Sequence, residues 1–222
     1  MTRWNTVYGK KTHVFGRHAN GLIWQHLQDA PEGPVLDVGC GEGRNGLMAA
    51  GLGRDVLALD FSQVAVDRAN AWAGEAGLQF KAEVADVINY AYPTEQYAGI
   101  ILALMLPFVR KSAVPDLLVR LYRATIPGGI IFASALLSDD PDAAPHVGKY
   151  EEVDPWSFFK PELNEYRTFF LPGEIRQLLE EAQFQVIEYL EGVYLEETPA
   201  EGAHYHRQAQ VVARRPFGPA VS

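Results

Sequence analysis

The sequence predicts an α/β fold built on a mostly parallel sheet, and two observations support it. Short apolar segments of strand length alternate with segments of helical pattern: VLDV precedes NGLMAAGL, and VLALD precedes SQVAVDRANAWA. Such alternation is typical of β-α-β units, in which helices join parallel strands. In addition, the first strand (35–38) is followed by GCGEG (39–43), and glycine-rich turns of this kind line the ligand-binding crevice of such sheets.

The later segments continue the same pattern. GIILAL (99–104) is typical of a buried strand, and VPDLLVRLYRA (114–124) has apolar residues at helical spacing. The turn at 127–129 (PGG) is expected to stop that helix and to start the strand IIFASALL. A last helix, PGEIRQLLEEA, and two closing strands, FQVIEYLEGV and HYHRQAQVVAR, complete the predicted domain.

Composition restricts the function. A chain of 222 residues with 48% hydrophobic residues can bury one core, so we expect a single domain over 1–222. The net charge of -9 disfavours nucleic acid as a partner, because binding phosphates requires clustered Lys and Arg. Cys40 is the single cysteine, and we interpret it as a packing residue of the turn. No signal peptide or membrane span is apparent, so we expect a cytoplasmic protein without a membrane partner.

Two aromatic-rich segments are candidates to cover a ligand. One is the N-terminal segment 1–30, which holds Trp4, Tyr8 and Phe15, and whose Arg17 is a candidate partner for a cofactor carboxylate. The other is the lid-like insertion 138–170, which contains PWSFFKPELNEYRTFF. The alternative interpretation of both segments is ordinary core packing, because aromatic side chains bury large areas anywhere in a protein.

The spacing of the glycines decides between two classes of cofactor. A nicotinamide-binding fingerprint requires GxGxxG, but Arg44 occupies the third glycine position counted from Gly39. The pattern is instead GxGxG, preceded by Asp37. A carboxylate at this place would repel a pyrophosphate and would attract an ammonium or a sulfonium group. The turn therefore predicts a cationic adenosine cofactor.

Acidic residues also follow the next two strands. Asp60 ends VLALD, where a carboxylate can accept hydrogen bonds from both ribose hydroxyls. Phe61 beside it offers a ring face for adenine, and Asp86, after the third strand, offers an acceptor for the adenine amino group. Each acid alone could be a helix cap or a loop residue, but their order after successive strands favours an adenosine site.

At these positions the chain resembles the class I S-adenosylmethionine-dependent methyltransferases. VLDVGCGEG resembles the first motif of that family, LALDFS its acidic loop, AEVADV its adenine loop and IPGGIIF the turn before its fifth strand. The resemblance implies a three-layer Rossmann-like fold, with a seven-stranded, mostly parallel sheet and an antiparallel last strand. It implies a cofactor site made of Asp37, Gly39, Gly41, Arg44, Asn45, Asp60, Asp86, Val87 and Ala103.

A narrower resemblance is to small bacterial methyltransferases of the tellurite-resistance type. It is carried by GEGRNGLMAAGLGRDVLALDFS, by Trp4 with FGRHAN, and by the C-terminal HYHRQAQVVARRP. Two positions depart from that pattern, since Gly46 replaces a serine and Ala98 stands where an acid is common. The resemblance implies a small-molecule acceptor, with a soft anion or a thiol as candidates.

His204, His206 and Arg207 are the candidate catalytic residues. Strand periodicity places the two histidines on one face and Arg207 on the other. They could act as bases or bind an anionic acceptor; the alternative is an edge strand with solvated polar residues. We predict no metal, because only His146 suggests itself as a third ligand.

The sequence thus predicts a methyltransferase that acts on a small molecule as a monomer or weak homodimer. The alternatives are a protein that binds S-adenosylmethionine without turnover and a nicotinamide-dependent reductase, which the glycine spacing disfavours.

Overall fold

The computed structural model describes residues 3–16, 18–198 and 202–218. Its strands are β1 Val35–Val38, β2 Val56–Asp60, β3 Phe80–Val84, β4 Tyr97–Ala103, β5 Thr125–Leu136, β6 Glu151–Asp154, β7 Ser157–Lys160, β8 Glu165–Thr168, β9 Gln185–Thr198 and β10 Gly202–Arg214. Its helices are α1 Arg3–Lys10, α2 Gly21–Leu27, α3 Arg44–Gly51, α4 Gln63–Ala76, α5 Val114–Ala124 and α6 Glu174–Glu181.

The central sheet has seven strands in the order β3-β2-β1-β4-β5-β10-β9. The five strands from β3 to β5 are parallel, and β10 runs antiparallel to both of its neighbours, β5 and β9. The strand order reverses between β1 and β4, which is where ligands bind in open α/β sheets. The predicted α/β fold, with a mostly parallel sheet and an antiparallel last strand, is confirmed.

Helices cover both faces of this sheet and make three layers. Alternate residues of β4 separate the two interfaces, since Ile100 and Leu102 join the core beneath α5 and α6, whereas Ile101 joins the core beneath α2 and α3. In α5 the apolar residues face the sheet, and Leu118 and Leu121 are fully buried. No helix within the described ranges is long and apolar enough to cross a membrane.

The turn predicted at 127–129 is part of β5, which begins at Thr125. Gly128 has a positive φ of 80°, and the strand bulges opposite Tyr97 and Gly99. The segment nevertheless stays paired, because Gly128 N–H donates to the Arg215 carbonyl and Arg215 N–H donates to the Gly129 carbonyl, each at 2.8 Å. The prediction of a separate turn was wrong. The backbone of Arg215, which is distant in sequence but lies beside this segment, supplies the hydrogen-bond partners that keep it in the strand.

The insertion after β5 contains a second, antiparallel sheet, β6-β7-β8. Phe158 and Phe169 are buried in a cluster with Leu136, so these aromatics form core between the small sheet and β5. Thr168 Oγ1 also donates to the Val109 carbonyl at 2.7 Å, which fastens the small sheet to the segment after β4. Its role as a cover for a ligand stays a prediction.

Candidate active site

The glycine loop lies at the carboxyl ends of β1 and β2. The Gly39 and Cys40 N–H groups donate to the Leu59 carbonyl at 2.7 and 2.9 Å, and Gly41 N–H donates to Asp60 Oδ2 at 2.9 Å. Gly39 and Gly41 have φ angles of 72° and 54°, a region that side-chain-bearing residues rarely adopt. The loop is thus held against β2 and needs its glycines.

Two side chains lie directly over this loop. A Cβ atom added to Gly39 would fall 2.3 Å from Met105 Cγ, and one added to Gly41 would fall 2.6 Å from Tyr8 Oη. Tyr8 is buried, and its burial, with the nearby Asp60 carboxylate, raises the pKa of its hydroxyl. Tyr8 belongs to the N-terminal segment that the sequence suggested as a cover for a ligand. Met105 was not anticipated, because the segment after β4 reaches the loop only through the tertiary fold.

Asp37 and Asp60 are the buried carboxylates of the site, 2% and 6% exposed. Asp37 Oδ2 accepts from Gly46 N–H at 2.9 Å, and Asp60 Oδ1 accepts from Ser62 N–H at 2.8 Å. Burial raises the pKa of Asp37 from 3.8 to about 7 and also raises that of Asp60. Among the described residues, no Lys, Arg or His forms an ion pair with either carboxylate. The two therefore create a place where a positively charged ligand is favoured.

The residues predicted to contact adenine lie at the neighbouring strand ends. Phe61 follows Asp60 and is 44% exposed, so its ring is available to a ligand. Asp86 is exposed, and its carboxylate accepts from Ile88 N–H at 3.0 Å and from Asn89 Nδ2 at 2.7 Å. Val87 is half-buried. Asp86 thus holds its own turn with two hydrogen bonds. Because a carboxylate can accept more than two, it can still accept one from a ligand.

Arg44 and Asn45, at the start of α3, hold the N-terminal segment. Arg44 Nη1 donates to the Phe15 carbonyl, and Asn45 Oδ1 accepts from Asn20 N–H at 3.0 Å. Ala103 is half-buried at the end of β4. Arg17 lies outside the described residues.

Glu42, inside the glycine loop, is a second anchor that sequence analysis missed. Its carboxylate accepts from the N–H groups of His13 and Val14 at 3.0 and 2.7 Å, and it pairs with Arg68 at 3.0 Å. Its signal in the sequence was the single acidic residue of the GCGEG turn. These contacts within the protein account for the burial of the Glu42 carboxylate, so no bound ligand is needed to explain it.

The candidate catalytic residues lie on β10, beyond the point where β5 ends. His206 is buried, and its Nδ1 lies 3.1 Å from Asp140 Oδ2, which also accepts from Arg207 N–H at 2.6 Å. The hydrogen bond to Asp140 raises the pKa of His206. Arg207 points the other way, and its Nε lies 3.1 Å from Asp139 Oδ2. Sequence analysis missed Asp140, whose signal was a pair of acids directly after the fifth predicted strand.

A buried polar row extends from this cluster along β10, and its far end is linked through Asn20 to the start of α3. His206, Gln208 and Gln210 alternate along one face of β10, and all three are buried. Gln210 Oε1 accepts from Asn20 Nδ2 at 3.1 Å, and Asn20 also bonds to Asn45 at the start of α3. The histidines and the carboxylates around the loop thus lie toward one edge of the sheet, because the antiparallel β10 begins where the parallel strand β5 ends.

Comparison with known proteins agrees with this geometry. Residues 35–129 match the family model described as a methyltransferase domain. The chain is 31% identical over 185 residues to Hemagglutinin 1 of Eikenella corrodens, which covers 82% of this chain and 54% of that protein. It is 30% identical over 132 residues to the probable S-adenosyl-L-methionine-dependent methyltransferase TehB of Haemophilus influenzae, covering 60% of this chain and 44% of TehB. The chain thus spans about half the length of these curated relatives.

A solved structure has the same architecture. A SAM-dependent methyltransferase from Methanosarcina mazei superimposes with a TM-score of 0.74 over 90% of this chain and all of its own, at 18% identity. Because the identity is low, this match concerns the fold. Residues 35–129 thus match a methyltransferase domain, and the strand order and the superposition show a Rossmann-like fold of the kind found in SAM-dependent methyltransferases.

Proposed function

We propose that this protein transfers a methyl group from S-adenosylmethionine to a small-molecule acceptor. The observation that carries the proposal is the pair of buried carboxylates, Asp37 and Asp60, on either side of the glycine loop. Neither forms an ion pair within the described part of the chain, so an ammonium and a sulfonium group would supply the missing positive charge. A pyrophosphate would add negative charge at the same place, which argues against a nicotinamide cofactor.

The cofactor residues are proposed from their positions around this loop. Asp37, Gly39 and Gly41 face the methionine end, and Asp60 accepts from the ribose hydroxyls. The remaining residues proposed to line the site are Arg17, Arg44, Asn45, Phe61, Asp86, Val87 and Ala103.

S-adenosylmethionine supplies an electrophilic methyl group on a positively charged sulfur when it is bound. The chain must position the acceptor and exclude water, because alignment of two reactants can supply about 7 to 11 kcal/mol of a barrier. Tyr8 and Met105 cover the loop and keep solvent from it. The polar row on β10 provides the surface for the acceptor.

The proposed acceptor is a soft nucleophile, either a tellurite- or selenite-type anion or a thiol. His204, His206 and Arg207 are the residues proposed to hold it, and Arg207 would first have to leave Asp139 on the opposite face of β10. The resemblance to tellurite-resistance methyltransferases supports this choice, as does the position of the cluster on the same sheet edge as the glycine loop. The protein is proposed to act in the cytoplasm as a monomer or weak homodimer.

Two measurements on the purified full chain test the proposal. Calorimetry with adenosylhomocysteine and with NADH should show binding of adenosylhomocysteine alone, and Asp60→Asn should weaken it. Release of adenosylhomocysteine is then measured at fixed S-adenosylmethionine with tellurite, selenite, thiols, carboxylic acids and amines. We expect release with the soft nucleophiles, and much less from His206→Asn than from His26→Asn.

His26→Asn is a matched control because His26 pairs with Glu188 on β9 at 2.7 Å, away from the cluster. Binding of NADH without adenosylhomocysteine would overturn the proposal. Cofactor binding without release from any acceptor would favour the alternative of a binding protein without turnover.

A further inference from the structure

We infer that Glu196, His204 and His206 form a binding site for one divalent transition-metal ion, for which Zn²⁺ best matches the ligands. Two imidazole nitrogens and one carboxylate oxygen are a ligand set that zinc uses in open sites. One ligand atom from each of the three residues lies within 4.8 Å of the other two. The inference rests on this geometry and not on methyl transfer.

Strand pairing brings the three side chains to one face of the β9-β10 ribbon. His204 lies directly opposite Glu196 in the antiparallel register. His206 is two residues further along β10, so its side chain projects from the same face as that of His204. Side chains in such positions converge within a few ångströms, because facing Cβ atoms of paired strands are about 5 Å apart.

The distances are those expected for ligands that share an ion. Glu196 Oε2 lies 3.5 Å from His206 Nε2 and 3.8 Å from His204 Nε2. These separations exceed the roughly 2.7–3.2 Å of a direct hydrogen bond. Two ligands of a tetrahedral Zn²⁺, each about 2.1 Å from the metal, must lie about 3.4 Å apart. By contrast, His26 of α2 and Glu188 of β9 meet directly at 2.7 Å.

Both histidines are oriented by their other ring nitrogen. His206 Nδ1 lies 3.1 Å from Asp140 Oδ2, and His204 Nδ1 lies 3.1 Å from the Gly202 carbonyl. A metal-binding histidine commonly donates one ring N–H to a carboxylate or carbonyl, which directs the other nitrogen to the metal. In both residues Nε2 is the nitrogen that lies nearest to the Glu196 carboxylate.

Partial exposure gives the ion access. The side chains of His204 and Glu196 are 25% and 16% exposed, and that of His206 is 9% exposed. Three protein ligands also leave a tetrahedral ion one position for water or an anion. His146, the third ligand considered from sequence, belongs to neither convergent group in the described ranges.

A second group, Asp140, Asp142 and His206, also converges, but it is the weaker candidate. Asp142 Oδ2 is already paired with Arg167 Nη2 at 2.6 Å. Asp140 is already bonded by Arg207 N–H and by His206. A metal there would displace these contacts. In the Glu196 group the carboxylate oxygen already lies 3.5 and 3.8 Å from the two imidazole nitrogens.

Metal titration of the full chain tests the site. The protein is purified without a histidine tag, stripped with EDTA and titrated with Co²⁺ as a spectroscopic probe, followed by Zn²⁺ in competition. We expect one equivalent of Co²⁺ with visible absorption that Zn²⁺ abolishes. Glu196→Gln and His204→Asn should each weaken Co²⁺ binding at least 10-fold, and Asp140→Asn should weaken it roughly 10- to 100-fold.

Two controls keep the inference falsifiable. Glu188→Gln removes another β9 carboxylate beside a histidine, and Asp142→Asn disables the second group; both should retain the affinity of the unmodified chain. Circular dichroism establishes that each variant is folded. The site is refuted if the unmodified chain binds no Co²⁺, if Glu196→Gln binds as tightly as Glu188→Gln, or if Asp142→Asn alone abolishes binding.

Discussion

Replacing Asp37 by asparagine should remove a pH-dependent loss of stability from the ligand-free protein. The side chain is 2% exposed, and burial raises its pKa from 3.8 to about 7. An acid whose pKa is higher in the folded state stabilises the fold below its unfolded pKa and loses that contribution as pH rises through the folded value. At 1.36 kcal/mol per unit, the change from 3.8 to about 7 corresponds to a loss of about 4 kcal/mol.

Urea unfolding at a series of pH values between about 4 and 8 measures this loss. The free energy of unfolding of the original chain should fall across this range relative to that of Asp37→Asn, by several kcal/mol. The asparagine carbonyl can still accept from Gly46 N–H, so the variant keeps the hydrogen bond that Asp37 makes.

Asp29→Asn, at an exposed carboxylate, is the control and should follow the original chain. Parallel curves for the original chain and Asp37→Asn would refute the reasoning, because they would show that Asp37 titrates alike in the folded and unfolded states.

Three further predictions concern the loop, the ligand surface and the core. Gly39→Ala should reduce both stability and adenosylhomocysteine affinity, since φ is 72° and the added Cβ would fall 2.3 Å from Met105 Cγ; thermal melts and calorimetry measure both, and an unchanged variant would contradict the close approach. Phe61→Ala should change stability by no more than about 0.5 kcal/mol, because its ring is 44% exposed, yet weaken cofactor binding in calorimetry; unchanged affinity would exclude Phe61 from the site. Leu121→Ala should cost about 2–5 kcal/mol in urea unfolding, since this side chain of α5 is fully buried against the sheet; a cost below about 1 kcal/mol would contradict its core position.

The local pattern of apolar residues was sufficient to predict most elements of the parallel part of the sheet. The segments 35–38, 56–60 and 114–124 form the predicted strands and helix with the predicted bounds. Hydrophobic periodicity is a property of neighbouring residues, so it survives without knowledge of the rest of the fold. The small sheet within 151–168 was not predicted, since its strands are four residues each and pair only with one another.

The sequence by itself determined the fold class and was sufficient to predict a class of cofactor, because both depend on local signals: strand–helix alternation, the spacing of Gly39 and Gly41, and acids directly after strands. Only the tertiary structure decided what surrounds the histidines of β10. Asp140 lies 66 residues from His206 in sequence, and Glu196 reaches it from the neighbouring strand β9. Strand register and loop path set such contacts, and neither is encoded in the spacing of the residues that meet.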